Sequence, residues 1–477
     1  MTLANSLPLQ AAHRAVDLLL SVGEKHGGLW PSILDRHTAA LPDATPGPIP
    51  GQRQHDRAPR GCNLSHDIEL IGALRLWSQA IGERRHADGV DAYLARFLQR
   101  CTQTPTGLFA WGEHAYWDLD RDALGNSNAN AGRTVSRGAY HDHLREAPPW
   151  LWRNLWRRDP EAVTRFARGL RWHWKSGALA HEYFRHAYME CPEIPLPHEV
   201  ISRDFPRHGG FYLLDTAFVL SCRADEELEQ QASRWAGYWW PHRHETGLLP
   251  LQSRADRDVD SERAYSVAQT VSLGVNMFDA ANLLQQAGLP LAGTVREHAR
   301  VFLEGCLQAP HRPESGVYAQ AVERRSFRLL APYVAWGTRY GEAAALPGLV
   351  CWLPRAARHT GDERFAHLAW QAIHWAQTQP LPRDQPICAR DLAQMLRAVI
   401  DLQALAPSVQ GRDLIERWVA LAHELYLDLD APLPRAAVGC DWYEAQLGSS
   451  DLLAALVHAE LCLSGSPAGS FALELLP

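Results

Sequence analysis

Apolar residues recur at helical spacing along almost the whole chain, and this repetition limits the fold more than any other feature. Residues 9–23 carry Ala12, Val16, Leu19 and Leu20 between polar neighbours. Steps of three and four residues place them on one face of a helix. The same pattern returns at 64–81, 160–178, 213–222, 263–287, 293–308, 343–359, 363–377, 389–405, 412–427 and 449–463, and many of these runs end near Gly or Pro. Alternation with period two is brief, at 107–111 and 316–320. The expected fold class is therefore all-α, with a dozen or more helices and short β elements in loops.

A chain of 477 residues has room for about two to four ordinary domains or one large repetitive one. An internal echo favours the second. Residues 105–111 (PTGLFAW) resemble 245–250 (ETGLLP), and 314–318 (ESGVY) are a weaker third copy. Each follows an amphipathic helix. A Thr/Ser–Gly turn at one end of successive helical hairpins is the signature of a toroid of helix pairs. Helices of one kind flank both long loops, 36–62 and 118–147, so residues 1–477 read as a single domain.

Composition removes several classes. Hydrophobic residues make up 46% and charged residues 21%, which excludes a disordered or collagenous chain. The net charge of −7 argues against nucleic acid as a partner. The nine Cys, at 62, 101, 191, 222, 306, 351, 388, 440 and 462, form no CxxC and read as reduced thiols. The N-terminus lacks a basic region before its apolar stretch, and His13, Arg14 and Asp17 interrupt that stretch. No signal peptide, membrane span or membrane partner is expected, and the expected location is cytoplasmic. Glycine-rich phosphate loops and the GxSxG elbow are absent, which removes dinucleotide, P-loop and α/β-hydrolase readings.

Three clusters carry the candidate chemistry. Residues 111–119 (WGEHAYWDL) put Glu113 and His114 among large aromatics. Residues 141–152 (HDHLREAPPWLW) and 181–188 (HEYFRHAY) add further His, carboxylates and Arg185 beside His186. Imidazoles and a carboxylate brought together from separate loops suit a divalent transition metal such as Mn²⁺ or Zn²⁺. No HExxH is present. Arg137, Arg203, Arg207 and Arg243 fall in expected loops, where a guanidinium can grip a carboxylate, whereas the six Arg of 153–171 read as a solvated helix face. The chain has 18 Trp. Trp111, Trp117 and Tyr443 are the candidate stacking surfaces for a sugar ring, against the plainer reading of helix-packing filler. Asp441 and Glu444, just before the last helix, read as a cap and a solvated acid.

Taken in order, residues 61–83, 106–119, 141–149, 157–174, 183–187, 244–252 and 434–461 resemble the pectate lyases of polysaccharide lyase family two. The WGEH and YFRHA segments are the most specific. The resemblance implies an (α/α)-barrel that cleaves a uronate oligomer or polymer by metal-assisted β-elimination, in some members inside the cytoplasm. It implies a metal, often Mn²⁺, held by His114, His186 and a Glu, with Arg185 as the base. The family's ligand Glu has no match here, so Glu146 is the expected third ligand, with Asp142 as the alternative. Glu113 stands where the family usually has Gly, and an extra carboxylate there repels a uronate or becomes a ligand itself. Arginine, with a pKa above ~12, is a base only if its surroundings lower that value. His181, Tyr183 and His208 are the substitutes, and a salt bridge from Arg185 to Glu182 or Glu190 is the structural alternative.

Two other enzyme readings share a helical toroid. An inverting glycosidase needs two carboxylates about 6.5–9.5 Å apart, with Asp67, Glu113, Asp441 and Glu444 as candidates. A sugar epimerase would use paired imidazoles, with His114 and His186 as candidates. A non-catalytic toroid that binds a glycan or a protein is the third reading. The sequence says nothing of oligomeric state.

Overall fold

Fourteen helices of eight residues or more follow one another among the described residues. They are α1 (Leu7–Lys25), α2 (Leu64–Ile81), α3 (Arg85–Cys101), α4 (Pro149–Arg158), α5 (Pro160–Gly169), α6 (Pro206–Cys222) and α7 (Glu226–Tyr238). Then come α8 (Val267–Gln286), α9 (Leu291–Leu307), α10 (Leu353–Thr360), α11 (Glu363–Thr378), α12 (Ala389–Leu405), α13 (Val409–Tyr426) and α14 (Ser449–Leu463). The structure is a computed structural model that describes residues 7–54, 57–127, 139–142, 145–191, 204–251, 264–428 and 430–466.

The helices sort into two kinds, and the sorting builds the ring. The sequences of α2, α6, α8 and α14 are apolar or small on nearly every side, and these helices are buried on nearly every side. Their partners bury one stripe. In α3 that stripe is Val90, Tyr93, Leu94, Phe97, Leu98 and Cys101. Each inner helix pairs with an outer one: α2 with α3, α4 with α5, α6 with α7, α8 with α9, α10 with α11, α12 with α13. Inner helices touch in the sequence α4–α6–α8–α10–α12–α14–α2. The last helix α14 packs on α2, whose partner α3 touches α4 to complete the circuit, and α1 returns from the N-terminus to lie against α14. This is an all-α toroid of helical hairpins, as the periodicity predicts.

The internal echo has a steric basis. Gly107 (φ +80°) and Gly247 (φ +101°) each end a turn that presses on the next outer helix. A Cβ on Gly107 would lie 2.6 Å from the Arg165 carbonyl oxygen of α5, and one on Gly247 2.0 Å from that of Val301 in α9. Only glycine supplies both the left-handed backbone and the close approach.

Short strands decorate the ends of the ring. They are β1 (Ile33–Asp35), β2 (Gly61–Cys62), β3 (Ala115–Asp118), β4 (Ala123–Asn126), β5 (Tyr140–His141), β6 (Ala187–Tyr188), β7 (Leu249–Pro250), β8 (Ala264–Ser266), β9 (Ala319–Glu323), β10 (Leu329–Pro332) and β11 (Trp442–Glu444). All pairings are antiparallel: β1 with β11, β2–β3–β4, β5 with β6, and β7–β8–β9–β10. The expected strand at 107–111 is instead a turn, and the strand forms at 115–118. Helices α3, α4 and α7 were not among the predicted segments.

The loop at 36–62 is anchored to the C-terminal part of the chain by two buried arginines, and its Arg53 reaches to 3.8 Å from Glu113. Arg57, fully buried, donates from Nε and Nη2 to Glu444 at 2.9 and 2.8 Å. Arg36 reaches Asp428 at 2.6 Å and Asp441 at 3.2 Å. Glu444 is therefore no solvated acid; it is half of a buried ion pair that ties the start of the chain to its end. Residues 128–138 of the second long loop, with Arg137, lie outside the described residues. All nine Cys are free thiols. No helix among the described residues is long and apolar enough to cross a membrane.

Candidate metal centre

The inner helices α2, α4 and α6 begin at the same end of the ring as the three sequence clusters. Asn63, the residue before α2, clamps the turn of the first cluster: its Nδ2 donates to the Gly112 carbonyl at 2.6 Å and its Oδ1 accepts from the Gly112 N–H at 3.3 Å. Gly112 has φ +111°, and a Cβ there would lie 2.1 Å from the Asp142 carbonyl oxygen. The glycine lets the second cluster press directly onto the first. Strands β5 and β6 join the second to the third, pairing His141 with Ala187.

The result is one knot of four groups. Glu113, His114, Asp142 and His186 each offer a ligand atom, and these atoms all lie within 4.8 Å of one another. Asp142 is fully buried. Its Oδ1 accepts the Glu113 backbone N–H at 2.8 Å, but its Oδ2 has no hydrogen-bond partner among the described residues. That orphan oxygen lies 3.3 Å from His186 Nε2. The Arg185 Nε–H donates to the same His186 nitrogen at 3.3 Å, so that nitrogen presents no proton to the carboxylate oxygen. Burial holds the His186 pKa well below the ordinary value, and the Arg185 charge beside it adds to the effect against Glu113. His186 is therefore neutral near pH 7.

An unpaired buried carboxylate costs several kcal/mol. A divalent cation removes that cost, because donors about 2.1 Å from a metal stand roughly 3–4 Å from each other. Two imidazole nitrogens with two carboxylate oxygens suit a transition metal better than Ca²⁺ or Mg²⁺, which take oxygen ligands. The side chain of Glu113 is 15% exposed, the most open of the four.

Three guanidinium groups stand near the knot, and one of them, Arg53 Nη2, lies 3.8 Å from Glu113 Oε1. Arg185 and Arg207 lie over the Phe205 ring, 5.2 and 4.8 Å from its centroid. Burial lowers the Arg207 pKa, countered by Asp204 and Glu113. Asp204 is buried against the Nδ1 of His208, and burial pushes its carboxyl up to about 7. The Tyr140 ring stacks on His186 with centroids 5.6 Å apart.

Several expectations need correction. Glu146 is not with His114 and His186: Arg355 grips both its oxygens, at 2.6 and 2.9 Å. Asp142, the stated alternative, and Glu113 take its place. Trp111 is no stacking surface; it is 1% exposed, packed among Phe97, Phe109, Trp152 and Phe166, and its Nε1–H donates to His141. Tyr443, also 1% exposed, sits in β11 inside the core. Trp117 is half-buried at the rim, with its Nε1–H on Asp122. Arg203 lies outside the described residues. Of the four candidate glycosidase carboxylates, Asp67 is buried under the Tyr93 hydroxyl, Asp441 is exposed beside Arg36, and Glu444 is held by Arg57. Only Glu113 faces the site. Sequence reasoning missed the roles of His141 and His173.

No family model matches the chain, and no curated protein matches it. Solved structures of similar fold include an unsaturated glucuronyl hydrolase from Bacillus sp. GL1, at 11% identity and TM-score 0.45, covering 95% of this chain and 96% of that one. A D-mannose isomerase is similar at 10% identity and TM-score 0.47, over 77% of this chain and 97% of that one. An α-1,6-mannanase from Salegentibacter is similar at 7% identity and TM-score 0.45, over 95% and 99%. At such identities the likeness is one of fold. These findings correct the pectate-lyase expectation, since no family model matches and the similar folds are named as hydrolases and an isomerase. The β-elimination of a uronate falls with it.

Proposed function

We propose that this chain is an enzyme acting on a carbohydrate, with a divalent transition metal held by Glu113, His114, Asp142 and His186 at the mouth of the toroid. The observation that supports this most is the orphan Oδ2 of Asp142, fully buried and aimed at a neutral imidazole nitrogen. Carbohydrate is put forward as the substrate class because of the mouth itself. It offers fixed donors from two arginines, a carboxylate reaching solvent and a half-exposed aromatic ring, the groups that meet hydroxyls and ring faces.

The favoured reaction is proton transfer on a sugar, as in isomerisation or epimerisation. The metal, when bound, supplies Lewis-acid polarisation of a sugar carbonyl or hydroxyl. The chain's own groups do the rest. His114, His186 and Asp142 hold their places because they are buried and tied to strands or to each other. Arg185 and Arg207 stabilise negative charge on a sugar oxygen. Glu113, the open carboxylate, takes a proton from the carbon beside a sugar carbonyl; in isomerisation it returns that proton to the former carbonyl carbon while the neighbouring hydroxyl proton passes to the former carbonyl oxygen, and in epimerisation the same carbon is reprotonated from its other face. The Glu113–Asp142 pair is closer than an inverting glycosidase requires, and Asp142 is too enclosed to reach an anomeric carbon.

Glycoside hydrolysis is the second reading, and Glu69 favours it. This residue stands on α2 within electrostatic reach of Arg397, Asp451, Glu146 and Arg355, and burial raises its pKa. A buried carboxyl whose pKa is raised is suited to donate a proton to a leaving oxygen.

The test is a panel of reducing sugars and of oligosaccharides, each with added Mn²⁺ or Zn²⁺ and with chelator. Deuterium entering a sugar C–H bond from heavy water, only with metal, supports the favoured reading. New reducing ends without deuterium entry would move the assignment to hydrolysis and to Glu69. Turnover indifferent to chelator, or none with any sugar, would overturn the metal-dependent carbohydrate reading.

A further inference from the structure

Among the described residues, His114 and His186 belong to the group that could hold a metal, and two further buried histidines lie beside them. These two, His141 and His173, form a closed chain of hydrogen bonds. The His173 Nδ1–H donates to the Phe184 carbonyl at 2.7 Å. The His173 Nε2 and His141 Nδ1 are 3.0 Å apart. The Trp111 Nε1–H donates to His141 Nε2 at 3.0 Å. Both imidazoles are fully buried, and Trp111 is 1% exposed.

Chemistry permits one arrangement of protons. An indole N–H only donates and a carbonyl oxygen only accepts. His173 must carry its proton on Nδ1 to meet the Phe184 carbonyl, which leaves Nε2 as an acceptor. His141 must then carry its proton on Nδ1 and accept from Trp111 through Nε2. Every nitrogen of both rings has a fixed role, and both rings are neutral. Neither can turn a lone pair toward a metal without breaking the chain.

The chain also runs between the ligands. His141 precedes Asp142, and Phe184 stands two residues before His186. The β5–β6 pairing is only two residues long on each strand, a weak link for holding two loops in register. We propose that His173 is a positioning residue for the metal centre: its two hydrogen bonds set Asp142 against His186, and Trp111 fixes the far end of the chain. This rests on the metal centre proposed above and adds to it the group that holds its halves together.

Substitutions at His173 can cut one link at a time. In His173→Asn the side-chain N–H replaces Nδ1 and keeps the Phe184 carbonyl, but the acceptor for His141 is lost. In His173→Gln the longer amide reaches the Nε2 position and keeps His141, but loses Phe184. Trp111→Phe removes only the end donor. The probe is Co²⁺ added to metal-free protein and followed by its visible absorbance, with thermal melting to confirm folding. Both His173 variants should bind Co²⁺ about 10–100-fold more weakly, with an altered band, the usual effect of losing the groups that orient metal ligands. Trp111→Phe should lose less than either. A nitrogen-resolved NMR spectrum of the metal-free wild type should show the proton on Nδ1 of both His141 and His173. Unchanged Co²⁺ affinity and spectrum in folded His173 variants, or an Nε2 proton on either ring, would overturn the positioning role and leave the metal centre standing. Failure of the wild type to bind Co²⁺ would overturn the metal centre and the positioning role together.

Discussion

The mouth of the toroid and its inner wall hold the same kinds of residue in opposite states. On the wall, Arg355 grips Glu146 with both terminal nitrogens and reaches Asp279 at 2.6 Å, and His359 lies 3.1 Å from Asp279. Burial alone would raise the Asp279 pKa, yet the His359 and Arg355 charges hold it down at about 2. Those carboxylates are fully answered by the chain. At the mouth, Asp142 has one answered oxygen and one orphan, and the His186 nitrogen beside the orphan presents no proton to it. A third buried carboxylate, Asp67, meets the same problem by keeping its proton: burial pushes it up to about 8, countered in part by the Tyr93 hydroxyl. One chain thus neutralises buried acids by an ion pair and by a proton, and among the described residues leaves one knot that asks for a cation.

Four expected outcomes sharpen or break this contrast. The largest concerns Asp67. Its folded pKa lies above the unfolded value near 3.9, so below about pH 4 the group is protonated in both states and carries no penalty. Between about pH 4 and 8 the unfolded chain ionises and the fold does not, so stability falls as pH rises, and the loss levels off above about 8. Relative to Asp67→Asn, the wild type should lose of order 5 kcal/mol across that window in urea unfolding. A flat difference would show that Asp67 is not held protonated.

Next is the ion pair. Arg355→Ala leaves Glu146 and Asp279 without a cation and should cost roughly 3–5 kcal/mol. A loss below about 1 kcal/mol would mean the wall network contributes little. Smaller again is metal-linked stability. Added Mn²⁺ or Zn²⁺ at about 100 times its dissociation constant should raise stability by about 2.7 kcal/mol, and the gain should vanish in His114→Ala and His186→Ala but persist in Glu146→Gln. A gain that survives in the histidine variants would place the cation elsewhere. The smallest runs against intuition. Asp142→Asn keeps the acceptor for the Glu113 N–H and gives His186 a donor, so the metal-free protein should become more stable by about 1–3 kcal/mol. Destabilisation would show that Asp142 is already neutralised within the chain.

The ring itself was readable because burial of a helix face leaves a period in the sequence. Helices such as 64–81, 363–378, 389–405 and 449–463 stood out for that reason. Helix α4 hid because its Trp and Arg alternate too closely to mark one face. Within the site, His114, Arg185 and His186 were legible as an unusual local chemistry. Glu146 was misread because its partner Arg355 lies 209 residues away, and spacing cannot show which guanidinium will claim a carboxylate. Trp111 was misread for the converse reason: an aromatic beside a polar cluster can be the core on which the cluster rests. The His141–His173 chain was invisible because no local pattern marks two histidines that bond only to each other and to backbone or indole.

The most direct test is the metal content of three proteins dialysed against the same low concentration of Mn²⁺ or Zn²⁺: wild type, Asp142→Asn and Glu146→Gln. The account predicts one equivalent in the wild type, one in Glu146→Gln and none in Asp142→Asn. No metal in the wild type, or equal metal in all three, would contradict it.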